Sequence, residues 1–409
     1  MIINPSKAKG KMTAPPSKSM AHRYLICAAL AQGKSVIHNI DLSEDIKATL
    51  GCIERLGVKS EITGSTITVY GNDSLNSACS DSRLFNCNES GSTLRFFIPL
   101  AMLDGSKSFF IGSDVLMTRP LSVYEEICSK QNILLEHKVQ KINDEEKNGI
   151  AIEGKLKADD FVIPGNISSQ FITGLLFALP LLDKDSTITL TESVESRPYI
   201  DMTLQVQKEF GISAEWRGEN KLFIPGNQKY RATDTFVEGD YSNAAFFEAL
   251  NTLGGEIEIE GLNPKSLQGD KVYIQYFEEL KKGFASLDIS DCPDLGPILF
   301  TLAAALHGGD FTGTKRLKIK ESNRGQVMCE ELAKFGVKTL QEENRIIINA
   351  GELHRPVEKI CGHNDHRIVM SMAVLLTITG GEIVGTEAVR KSLPDFFERI
   401  RKLGIDFQD

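Results

Sequence analysis

The sequence has no CxxC pair, no histidine-bearing metal spacing, no apolar run of 18 residues and no broad surplus of Lys and Arg. Each absence excludes a class. The eight cysteines (Cys27, Cys52, Cys79, Cys87, Cys128, Cys292, Cys329 and Cys361) are scattered. That argues against a disulfide scaffold or a zinc site and fits the reduced thiols of a cytoplasmic protein. Met1–Lys11 carries no apolar core of the kind a signal peptide needs, and no stretch is long enough to suggest a membrane span. A formal net charge of -9 argues against a nucleic-acid or anionic-membrane partner, which would select for excess positive charge. Wherever cations gather in such a chain, the gathering is informative. What is present is ordinary: 409 residues, 41% of them hydrophobic, enough for two packed domains of roughly 100 to 200 residues each.

One stretch organises the rest. Pro15-Pro16-Ser17-Lys18-Ser19-Met20-Ala21-His22-Arg23 holds an extended approach to an apolar run, Tyr24 to Ala31. Ser17 or Ser19 can cap the free amides of a helix there, and Lys18 and Arg23 add charge at the positive end of its dipole. The stretch reads as an anion site; taken alone, a capped surface helix with two solvated cations would read the same.

The pattern recurs. Ser90-Gly91-Ser92-Thr93-Leu94-Arg95 precedes apolar Phe96 to Leu103, and Asn166-Ile167-Ser168-Ser169-Gln170 precedes Phe171 to Leu182. Acidic versions open the second half: Asp240-Tyr241-Ser242-Asn243, Asp291-Cys292-Pro293-Asp294 and Asn364-Asp365-His366-Arg367. Openings at Ser17, Ser90, Ser168, Tyr241, Asp294 and Asp365 lie 73, 78, 73, 53 and 71 residues apart. Such irregular intervals exclude a tight solenoid and fit a supersecondary unit with variable loops. The first unit reads β-α-β-α-β-β, and the fourth lacks one hairpin. Six units predict an α/β protein of two domains with three repeats each. We expect a domain of 15–235 and a discontinuous one of 1–14 plus 236–409. The crossings fall near 12–16 and 228–238, with polar Gln228 to Thr235 as the hinge and the strand Met1 to Ile3 joining the second domain.

Cations sit at the same joints. The first half adds Arg119-Pro120 and Ser196-Arg197-Pro198-Tyr199; the second adds Lys318 to Arg324, Arg367 and Arg390-Lys391. Ser, Asn and Gln side chains with helix-start amides suit hydroxyl or phosphate groups. Asp294, after Pro293 at the mouth of a helix, is a candidate general base, as is Glu321 between Lys320 and Arg324. The plainer reading of Asp294 is an N-cap; that of Asp365-His366-Arg367 is a local salt bridge; His22 and His366 would merely pack or cap.

Pro16-Ser17-Lys18-Ser19 with Arg23, Ser90 to Arg95, Arg119-Pro120, Ser168-Ser169-Gln170, Lys320 to Arg324 and Asn364 to Arg367 together resemble the EPSP synthase (3-phosphoshikimate 1-carboxyvinyltransferase) family of enolpyruvyl transferases. The likeness runs from about residue 15 to Asp395. It implies β-α-β-α-β-β repeats about a pseudo-threefold axis in each of two domains, an inside-out α/β barrel, closing over two substrates. It implies transfer of the enolpyruvyl group of phosphoenolpyruvate to the 5-hydroxyl of shikimate 3-phosphate by a cytoplasmic monomer, without metal or cofactor, and glyphosate at the phosphoenolpyruvate place. Lys18, Ser19, Arg23, Ser168, Ser169, Gln170, Ser196, Tyr199, Asp294 and Lys320 are the implied shikimate 3-phosphate contacts. Lys18, Gly91, Arg119, Gln170, Arg324, Arg367 and Lys391 are the implied phosphoenolpyruvate contacts. The resemblance makes Asp294 the acceptor of the hydroxyl proton, and Glu321 or Lys18 the acid toward the methylene.

Glu89, Ser92, Arg316 and Asn323 depart from residues commoner in that family. A UDP-N-acetylglucosamine enolpyruvyl transferase would share fold and chemistry, but it looks for Lys-Asn at the first turn and a Cys before its Arg-Pro; here stand Lys18-Ser19 and Asp114. A ring-shaped DNA clamp would spread its cations along helices facing the duplex, whereas these gather at helix starts.

Overall fold

The computed structural model describes residues 1–72 and 83–408; Cys79 lies outside them. The chain divides into two compact units, a continuous one, Lys18–Val237, and a discontinuous one, Met1–Ser17 with Glu238–Asp409. The second crossing lies just past 228–235, because Asp234–Phe236 forms a strand parallel to Gly33–His38 and stays with the continuous unit. The first lies at 17/18, because the Ser17 N–H donates to the Glu238 carbonyl and Pro16 bridges Gly239.

Each repeat of the continuous unit pairs a buried helix with an amphipathic one. Lys18–Leu30 is buried on every side from Met20 onward, as a helix apolar all round must be. Its companion Glu44–Arg55 buries Ile46, Leu50 and Ile53 and leaves Glu54 and Arg55 outside. Ser43 caps that helix by accepting from the Ile46 N–H, and Gly57, at φ 81°, lies just past its end, where only glycine is unstrained. Gly91–Ala101 and Ser169–Ala178 repeat the buried helix, and Ser122–Gln131 and Arg197–Glu209 the companion. The helices share one apolar core.

Three four-stranded sheets cover this core with one topology. Arg83–Asn86 and Ser108–Ile111 run parallel across the helix Gly91–Ala101, and a hairpin completes the sheet. Asp160–Ile163 and Ser186–Leu190 do the same across Ser169–Ala178. Parallel neighbours need such a crossover. The first sheet takes its parallel edge from the unit's last strand, Asp234–Phe236.

The discontinuous unit has its own core and three buried helices, Tyr241–Thr252, Gly296–Ala305 and His366–Thr379. Among the described residues Glu256–Glu260 pairs only with Lys9–Thr13, and the fourth repeat shows no hairpin. Ile2–Ile3 inserts between Gly381–Val384 and Phe407–Gln408, antiparallel to both. Among the described residues no helix is long and apolar enough to cross a membrane.

Candidate active site

The repeats deliver the predicted residues to helix starts. In the continuous unit Lys18 and Ser19 occupy the first turn of Lys18–Leu30, and Gly91 opens a helix whose N-cap, Ser90, accepts from the Thr93 N–H. Ser168 caps Ser169–Ala178 by accepting from the Gln170 N–H, which leaves its hydroxyl proton to give. Ser196, 2% exposed, is held at φ 58° before the helix that carries Tyr199; a non-glycine residue there is strained, as is common where a side chain must be aimed.

Arg23 is buried, yet among the described residues no carboxylate touches it. Its Nε donates to Thr203 Oγ1 at 2.9 Å, one terminal nitrogen to the Ser19 carbonyl at 2.6 Å and the other to the Tyr199 carbonyl at 2.8 Å. Burial brings its pKa down to about 10 against the opposing influence of Tyr199 and Cys27. A buried cation with neutral partners is poorly compensated until an anion arrives. Lys18 differs: its Nζ pairs with Asp45 Oδ2 at 2.8 Å, both side chains mostly buried.

A second constellation surrounds Gln170. Its Oε1 accepts from Arg95 at 2.7 Å and its Nε2 donates to Ser92 Oγ at 3.0 Å, which fixes the amide orientation. Arg95 also donates to the Pro120 carbonyl and lies over the Phe171 ring, 5.0 Å from its centroid. The Arg119 guanidinium lies so close to Gly91 that a Cβ there would sit 2.5 Å from its terminal nitrogen.

The discontinuous unit gathers opposite charges. Asp294 faces Arg324 at 2.9 Å, Lys320 at 3.1 Å and Arg367 at 3.4 Å, and its main-chain carbonyl accepts from Arg367 as well. Burial alone would raise the Asp294 carboxyl, but Arg367, Lys320 and Arg324 outweigh it and hold it well below the usual carboxylate range. The plainer reading of Asp294 fails: the cap position of Gly296–Ala305 is Leu295, with no side-chain cap. Arg324, 1% exposed, meets Glu321 at 2.5 Å and is gripped by both oxygens of Asp365, at 2.8 and 3.2 Å. Burial works against its charge, yet Asp365, Glu321 and Asp294 raise its pKa. Burial lowers the pKa of Lys320, with Asp294 opposing. Asp365 also caps His366–Thr379 by accepting from the Arg367 N–H; its salt bridge runs across the repeats to Arg324 at 2.8 Å, with the His366 Nδ1 4.0 Å from its other oxygen. Lys391 donates to the carbonyl of Asn364, one of two successive left-handed residues, His363 and Asn364. Asn323 caps Arg324–Ala333, the task an Asp there would serve equally.

Three acidic residues escaped the sequence reading in this setting. Asp45 carries only the weak signal of a first helical turn that also holds Glu44. Asp365 was visible as an opening residue but not as the partner of Arg324. Asp270, 3% exposed in the turn Gly269–Val272, has its carboxyl pushed up to about 6 by burial and by Asp294, against Arg367. Nothing in its local sequence separates it from a surface aspartate.

Comparison with known proteins places these features in a family. A profile described as EPSP synthase (3-phosphoshikimate 1-carboxyvinyltransferase) matches residues 2–400. The chain is 40% identical over 425 residues to a 3-phosphoshikimate 1-carboxyvinyltransferase of Clostridium perfringens, covering 99% of this chain and 98% of that protein. It is 38% identical to one of Clostridium kluyveri, covering 100% and 98%. The solved structure of EPSP synthase from Acinetobacter baumannii superposes with a TM-score of 0.77 at 24% identity, covering 100% of this chain and 99% of that one.

Proposed function

The chain belongs to the EPSP synthase family, and from that membership we propose that it transfers the enolpyruvyl group of phosphoenolpyruvate to the 5-hydroxyl of shikimate 3-phosphate. Phosphate is released, in the service of aromatic biosynthesis. The observation that carries the assignment of roles is the cluster of Asp294 with Lys320, Arg324 and Arg367, a carboxylate kept ionised among cations.

In this reading the 5-hydroxyl oxygen attacks C2 of phosphoenolpyruvate. Asp294 takes the hydroxyl proton, and Glu321 or Lys18 gives one to the methylene carbon, leaving a tetrahedral adduct with a methyl group. That methyl then loses a proton, the C2–O bond to phosphate breaks and the enol ether forms. As the cations engage the phosphate and carboxylate of phosphoenolpyruvate, their hold on Asp294 weakens and its basicity rises, so the base strengthens when substrate is present. The same cations stabilise the departing phosphate. Arg324, Arg367, Lys391, Arg119 and Gly91 serve phosphoenolpyruvate, together with Lys18 and Gln170. Arg23, Lys18, Ser19, Ser168, Ser169, Gln170, Ser196, Tyr199, Asp294 and Lys320 serve shikimate 3-phosphate, the buried Arg23 being suited to an anionic group. Glyphosate competes at the phosphoenolpyruvate place, and the chain works as a cytoplasmic monomer.

The test is phosphate release by the purified protein with phosphoenolpyruvate and shikimate 3-phosphate, with UDP-N-acetylglucosamine as the alternative acceptor. Release only with shikimate 3-phosphate is expected; release with the nucleotide sugar, or with neither, refutes the reading.

A further inference from the structure

We propose that His22 is a positioning residue for this site, acting through Thr49 and Thr93 on the helix starts that carry Lys18 and Gly91; the proposal rests on the function given above. His22 lies four residues after Lys18 on one helix, and Thr49 four residues after Asp45 on the next, so each pair shares a helix face. The two faces meet as two rungs: Lys18 Nζ to Asp45 Oδ2 at 2.8 Å, and His22 Nδ1 to Thr49 Oγ1 at 2.8 Å. The second rung continues into the next repeat. Thr49 Oγ1 lies 2.8 Å from Thr93 Oγ1, which donates to Ser90 Oγ at 2.7 Å, and that oxygen also accepts the Thr93 N–H as the cap of the Gly91 helix. His22, Thr49, Thr93 and Ser90 are each at most 1% exposed.

The direction of the relay follows from counting protons. A hydroxyl has one to give. Thr93 gives its proton to Ser90, so Thr49 must give its own to Thr93, and His22 must donate to Thr49 from Nδ1. The ring therefore carries its proton on Nδ1. Nε2 is buried with no hydrogen-bond partner among the described residues, beside the edge-on Phe96 ring with centroids 6.4 Å apart. An apolar residue would avoid burying that nitrogen, so what histidine adds at this place is the Nδ1 donor. Burial, then the charges of Lys18 and Arg23, push the pKa of His22 well down, and the ring stays neutral with one fixed tautomer. It holds the Lys18 and Gly91 helices in register without exchanging protons with substrate.

The test compares His22→Leu, which removes the donor, with His22→Asn, whose amide can supply a donor near Nδ1. The Leu variant should lose about 10- to 100-fold in kcat/KM, mainly through raised KM for both substrates, as expected when binding groups shift by a fraction of an ångström. The Asn variant should return close to the parent. Equal impairment of both variants, or a folded Leu variant with parental constants, overturns the proposal. A second measurement does not depend on activity or on the Leu variant folding. In 15N-histidine-labelled protein, the resonances lost in the Asn variant identify His22 among the seven histidines. They should show a protonated Nδ1 and a bare Nε2 across the neutral range. A proton on Nε2, or a doubly protonated ring, overturns the relay. Absence of turnover in the parent would refute the proposed function and leave this spectroscopic test standing.

Discussion

Replacing Asp294 with Ala separates chemistry from binding. In the cluster the cations Lys320, Arg324 and Arg367 stand against the carboxylates Asp294, Glu321 and Asp365, three of each sign. Removing Asp294 makes the cluster one unit more positive and removes the group proposed to take the hydroxyl proton. Loss of a general base costs about 10²- to 10⁴-fold in turnover, a barrier increase of roughly 3 to 5 kcal/mol. The excess charge should meanwhile keep or improve affinity for the phosphoenolpyruvate anion. Arg324 retains Asp365 and Glu321, so the fold should survive. The assay is initial-rate phosphate release with each substrate varied, beside calorimetric titration of shikimate 3-phosphate. We expect kcat to fall by that factor, the KM for phosphoenolpyruvate to hold or fall, and shikimate 3-phosphate still to bind. A near-normal kcat would remove Asp294 from the mechanism. A KM for phosphoenolpyruvate that climbs as kcat falls would refute the charge argument.

Arg23→Met removes a buried cation that has no carboxylate partner among the described residues. Stability should hold or improve while the KM for shikimate 3-phosphate rises by about 30-fold or more, and an unchanged KM contradicts its role. Gly91→Ala puts a methyl 2.5 Å from the Arg119 guanidinium and should displace it, raising the KM for phosphoenolpyruvate by about 10- to 100-fold; steady-state kinetics with that substrate varied checks this. Asp270 holds its proton more tightly when folded, near 6, than when unfolded, near 3.9. Its contribution to stability therefore falls as pH rises from about 4 to about 6 and stays low above. Asp270→Asn should add about 1 to 3 kcal/mol near pH 8 and almost nothing near pH 4, as read by denaturant unfolding; equal effects at both would refute the assignment.

The repeats were legible because each buried helix is an unbroken apolar run behind a hydroxyl- or acid-bearing opening, as at Ser90 to Ala101 and Asp365 to Thr379. That signal is local. The longest hairpin, Leu134–Ile142 with Glu145–Glu153, left no such trace: its strands are mostly exposed and heavily charged, so apolar alternation is weak. The one-turn helix Asp114–Met117 is too short for a periodic pattern. Among charged groups, the cations at the joints could be read from the sequence. Their acidic counterparts, Asp45 for Lys18 and Asp365 for Arg324, could not, because each pairing is set by how helices from different parts of the chain pack.

The place of Ile2–Ile3 between Gly381–Val384 and Phe407–Gln408 sets an order on the ribosome. The continuous unit has all its strands once Phe236 is made, so it can fold while synthesis goes on. Ile2 and Ile3 are made long before both of their partners: at about 5 to 20 residues per second, they spend on the order of 20 to 80 s without them. Until then this apolar strand lacks the two neighbours that cover its edges, and its docking joins the two stretches of the discontinuous unit.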